Sequence, residues 1–100
     1  MKARKKLPPI HPGAILKEDL EDAGISLNRL ARDIRVPMNR ISAIVNGKRS
    51  ISADTAFRLA LFFGTSPQYW MNLQANYELA RTEFEAGDEM RAEVKPLQPA

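Results

Sequence analysis

The chain has 100 residues, 44% hydrophobic and 27% charged, with a formal net charge of +3 and no cysteine. That balance suits one globular domain with a modest core, and it excludes a wholly disordered chain, a disulfide framework and thiolate chemistry. The charge is uneven: residues 1–50 carry 11 Lys/Arg against 5 Asp/Glu, and residues 51–100 carry 4 against 7.

Lys2, Arg4, Lys5 and Lys6 open the chain, and Pro8-Pro9 follows, so residues 1–10 read as a flexible basic arm. A signal peptide needs a continuous apolar stretch where Leu7-Pro8-Pro9 stands. No apolar run approaches the length that crosses a bilayer, and with no cysteine the expectation is a cytoplasmic protein without a membrane partner.

The first helix is expected from Pro12 to about Ala23, with Pro12 in the first turn and Gly24 just past the end. Ile15, Leu16, Leu20 and Ala23 give it a core face, and His11 serves as an N-terminal cap or a surface residue. Ser26 can cap a second helix, in which Leu27, Leu30, Ala31 and Ile34 form an apolar stripe. Arg35-Val36-Pro37 is a turn, and a third helix, about Pro37 to Asn46, buries Ile41, Ile44 and Val45. Two helices this short need bracing by others. The polar face of the third is then free to enter a DNA major groove.

Ser52 can cap a fourth helix, Ala53 to Phe63, with Asp54 in its first turn. Ala56, Phe57, Leu59, Ala60, Leu61, Phe62 and Phe63 make it apolar nearly all round, so it is expected to be a buried strut. Ser66 and Pro67 open a fifth helix, expected to end at about Ala86 before Gly87. Trp70, Leu73, Tyr77 and Phe84 follow one stripe of it, with Met71, Ala75 and Leu79 on a second. Two stripes exceed what one small domain covers, so the first is expected to form a homodimer interface. The reading is all-α with five helices: residues 11–86 form the DNA-binding and dimerisation domain, and residues 87–100 a flexible tail.

The inventory for catalysis is thin. There is one histidine, no carboxylate pair placed by spacing into a pocket and no Gly-rich phosphate loop, so no catalytic, metal-ligating or cofactor-binding residue is assigned and no enzyme is expected. For DNA, residues 26–50 hold 6 Lys/Arg against 1 Asp. Asn39 suits bidentate contact with adenine and Arg40 contact with guanine or phosphate; Met38 and Ala43 can meet a thymine methyl. Ser26, Arg29, Asn46, Lys48, Arg49 and Ser50 are placed to clamp phosphates. Asn46 equally fits a helix C-cap, and Arg29 an ion pair with Asp33 one turn on.

Three motifs carry a resemblance: HPG at 11–13, RISAIVNGKR at 40–49, and SADTAFRLALFFGTSPQYWMNLQ at 52–74. From about His11 to Ala80 the chain resembles the HigA-type antitoxins, within the phage-repressor-like (XRE-type) helix-turn-helix proteins. The resemblance implies a dimer that binds a palindromic operator in double-stranded DNA and represses its own operon. It also implies a small basic toxin of the HigB type, an mRNA-cleaving partner neutralised by complex formation. A stand-alone regulator without a toxin is the alternative. Two positions depart from the common pattern: Arg35 stands where a positive φ often calls for Gly, and Met38 where a polar residue is usual.

Overall fold

Most helix starts follow from side chains that accept from exposed backbone N–H groups, and the helix ends are closed by backbone N–H groups, three of them on residues at positive φ. His11 Nδ1 accepts from the Gly13 N–H at 2.9 Å, with Pro12 in the first turn, and this opens α1, Pro12–Ala23; Gly24 at φ 69° closes it. Ser26 caps α2, Leu27–Ile34, through the Arg29 N–H, and Arg35 ends it at φ 62° and ψ 48°. The helix α3, Met38–Val45, starts one residue later than expected, with Pro37 as its cap residue. Ser52 and Ser66 cap α4, Ala53–Phe63, and α5, Pro67–Glu93, by accepting from Thr55 and Tyr69 N–H groups. This computed structural model describes residues 8–98, which are all-α without a strand. Most of the basic arm, residues 1–7, and the last two residues lie outside that range.

The core joins Leu16 and Leu20 of α1 to Leu30 and Ile34 of α2, Ile41 and Ile44 of α3, Leu59 of α4 and Trp70 of α5. Two glycines set close approaches. A β-carbon on Gly13 would fall 1.7 Å from the Ile44 carbonyl oxygen, so the HPG motif is a crossing point at which α1 lies directly on α3. On α5, a β-carbon on Gly87 would meet the Glu83 carboxylate at 2.6 Å.

That second contact explains a departure from expectation. Gly87 does not end α5, which continues to Glu93 and takes part of the expected tail into the helix. Glu83 lies across the bare backbone of Gly87 to reach Arg91, with N–O distances of 2.6 and 2.8 Å, and Arg91 also holds Asp88 at 2.8 Å. These ion pairs bridge the turn that glycine would otherwise weaken.

Two further expectations fail. The buried strut α4 is covered on one side by α5 and α2, while its other side leaves Phe57 59% and Leu61 78% exposed. Trp70, expected at a dimer interface, is 1% exposed and packs in the protein's own core beside Phe63, with ring centroids 5.7 Å apart. Leu73 also packs against that core, and Tyr77 meets the His11 ring edge-to-face at 4.8 Å. Of the four stripe residues, Phe84 alone is exposed.

The 27 residues of α5 span about 40 Å at 1.5 Å per residue, so its C-terminal half projects beyond the body. The molecule measures 54 × 31 × 22 Å, and its radius of gyration is 17.2 Å against about 13 Å for a compact chain of this length. Leu79, Met90 and Val94 are exposed along the projection and border an open groove of about 450 Å³ with Gly87 and Pro96.

Candidate nucleic-acid interface

The helix α3 is held by its apolar side against α1 and α2, with Ile41 and Ile44 fully buried. Its outer edge is free: Met38 and Asn39 are exposed at the N-terminus, Ala43 is half-buried in the middle, and Asn46 is exposed at the C-terminus. Asn46 is the C-cap residue, at φ −88° and ψ 4°, and its side chain stays outward. The chain then turns at Gly47, φ 75°, into the exposed run Lys48-Arg49-Ser50. The Gly47 and Lys48 N–H groups return to the Ile44 and Ala43 carbonyls at 3.0 and 2.8 Å, which closes the end of α3 and fixes the direction of the loop.

Three groups support that loop from behind. Gln74, buried on α5, accepts from the Ile51 N–H at 2.9 Å and donates to Glu78 at 2.8 Å. Glu78 in turn receives the Ser50 hydroxyl at 3.3 Å. His11 lines the same recess: its ring lies against Tyr77 and under Gly47, and it hydrogen-bonds the Arg49 backbone. Burial lowers the His11 pKa below its usual value; Glu78 and the Arg49 contact pull it back up in part, and Arg81 lowers it further. The neutral ring can accept at Nδ1 from Gly13, as the cap requires. Lys48 and Arg49 therefore stand on a braced support, beside the outer edge of α3.

The expected site residues are not all equally available. Asn39, Met38, Lys48 and Arg49 are open. The Ser26 hydroxyl is engaged as the α2 cap, and Arg29 Nε donates to Asp33 at 3.2 Å, the ion pair foreseen as its alternative. Ser50 is turned toward Glu78. Arg40 differs most from expectation: its side chain is 25% exposed, and Nη1 donates to Asp54 at 3.4 Å. Sequence reasoning missed Gln74 altogether. Its one signal was a polar residue one helical turn after Trp70, on the buried face.

Among the described residues no group of three or more His, Asp or Glu could hold a metal ion, and no helix is long and apolar enough to cross a membrane. The sequence profile of the helix-turn-helix family matches residues 16–70, which run from α1 through α3 to Trp70. The chain is 43% identical over 81 residues to virulence-associated protein I of Dichelobacter nodosus, covering 80% of this chain and 75% of that one. Among solved structures it is similar to an addiction-module antidote protein of a HigA family from Coxiella burnetii, with 48% identity and a TM-score of 0.86 over 91% of this chain and 100% of that one. The Pseudomonas aeruginosa antitoxin HigA, solved with the higBA promoter, is 44% identical with a TM-score of 0.86, over 90% of this chain and 99% of that one.

Proposed function

The chain belongs to the helix-turn-helix family that includes the HigA antitoxins and is a binding protein rather than an enzyme; from that membership we propose that it is the DNA-binding antitoxin of a toxin–antitoxin pair and represses its own operon. The observation that carries this reading is one continuous face: Met38, Asn39 and Ala43 on the outer edge of α3, flanked by Asn46 and the Lys48-Arg49 loop. In the major groove, Asn39 pairs with adenine while Met38 and Ala43 meet thymine methyls. Lys48, Arg49 and Asn46 hold phosphates on the C-terminal side, with Ser50 N–H as a further donor; Arg29 and the Ser26 end of α2 do so on the other. The relative solved with its promoter supports the choice of ligand.

Dimerisation fits the projecting half of α5, with Phe84, Leu79 and Met90 as the contact rather than Trp70. A two-fold pair of α3 helices then reads a palindromic operator. For a basic mRNA-cleaving toxin of the HigB type, the acidic surface of α1 is the complement: Glu18, Glu21 and Asp22 are exposed, whereas Glu83 and Asp88 already pair with Arg91.

The test is a pull-down of the tagged chain expressed with its native flanking genes, beside an anisotropy titration of the upstream DNA. A small basic protein that co-purifies and alters DNA binding is the expected result. DNA binding without such a partner assigns the chain as a stand-alone regulator, and no salt-dependent DNA binding removes the reading entirely.

A further inference from the structure

Arg40 is the third residue of α3, where an extended guanidinium would reach guanine, the commonest base contact of arginine. It is instead drawn off the outer face. Its Nη1 lies 3.4 Å from Asp54 Oδ1 on α4, and its Nε is buried with no hydrogen-bond partner among the described residues. Asp54 is itself fixed. It sits in the first turn of α4, where the helix dipole favours a carboxylate, and the same oxygen accepts from Arg58 Nε at 2.9 Å. Arg58 is anchored in turn, its Nη1 donating to the Ile34 carbonyl at the end of α2 at 2.9 Å. One carboxylate therefore holds two guanidinium groups, and the group ties the ends of α2, α3 and α4 together.

We infer that Asp54 is a specificity-determining residue for DNA: it withholds Arg40 from the groove and leaves the sequence to be read by Met38, Asn39 and Ala43. The inference rests on the proposal that α3 enters the major groove. A free arginine at this position would add a cation that seeks any phosphate and a fork that seeks any guanine, so binding would tighten while discrimination fell. With Asp54 neutralised, Arg58 keeps its carbonyl partner, and among the described residues Arg40 has no other ion pair to hold it back.

The probes are a duplex enriched by the wild-type chain from a randomised pool and a shuffled duplex of the same composition. Asp54→Asn is expected to tighten binding to the shuffled duplex about tenfold and the selected one less, and to steepen the salt slope by about one, the increment of one added phosphate contact. Adding Arg40→Ala should abolish both changes. Arg40→Ala alone, which does not depend on how well the Asp54 variant folds, should leave the ratio of the two affinities within about threefold, below the scale of a lost bidentate base pair. The inference is overturned if the tightening persists in the double variant, since the lost carboxylate would then act by charge alone. A large loss of discrimination in Arg40→Ala overturns it as well. If the wild-type chain enriches no duplex, the proposed function itself falls, and this inference with it.

Discussion

Gly13 and Ile44 meet where α1 crosses α3, so closely that a β-carbon on Gly13 would sit 1.7 Å from the Ile44 carbonyl oxygen. Both partners are backbone, so neither can rotate away, and Gly13→Ala must separate the helices. The expected cost is that of an overpacked core, about 3 kcal/mol. Urea denaturation would show it as a lower midpoint with an unchanged slope. Operator affinity should fall as well, because the displaced element is α3.

Arg35 ends α2 in the left-handed region, at φ 62°. A side chain there costs about 1 kcal/mol that glycine avoids. Arg35→Gly should therefore raise the stability by about that amount, whereas Arg35→Ala, which keeps the β-carbon, should not. Thermal melts of the two variants side by side check this.

His11 gives a pH dependence whose sign follows from its lowered pKa. The unfolded chain takes up a proton near the usual value of 6.5, and the folded chain does so only at lower pH. The unfolded state thus binds more protons in that window, and stability rises with pH through it. The contribution is complete above about pH 6.5, is lost as the pH falls through the folded-state value, and changes no further below that. A protonated Nδ1 is a donor and cannot accept from Gly13, so the α1 cap is the structure that opens. His11→Asn can still cap but does not titrate. Unfolding free energies from pH 8 to 5 should decline for the wild type and stay level for that variant, apart from slopes common to both.

The sequence revealed the helix starts and stops because their causes are local: Ser26, Ser52 and Ser66 cap within three residues, and Gly24 and Gly64 end α1 and α4 at positive φ. Even the strained turn at Arg35 was visible from its place between two short helices. What stayed hidden depends on distant partners. Periodicity put Trp70 on a stripe with Phe84 without saying whether the chain itself or a second copy covers it, and the core claims Trp70. An apolar α4 promised burial, but among the described residues no element lies over Phe57 and Leu61. Gly87 looked like a stop until Glu83 and Arg91, eight residues apart, spanned it. Arg40 looked free because Asp54 is 14 residues away, and Gln74 looked unremarkable because Ile51 is 23 away.

The central claim, that the outer edge of α3 reads DNA while the loop after it holds the backbone, is tested most directly by titrating Asn39→Ala and Lys48→Ala against the selected and shuffled duplexes at several salt concentrations. Asn39→Ala should lose about 1–3 kcal/mol on the selected duplex and little on the shuffled one. Lys48→Ala should weaken both alike and reduce the salt slope by about one. The reverse pattern, with Lys48 carrying the discrimination and Asn39 the salt dependence, would contradict the placement of α3 in the groove.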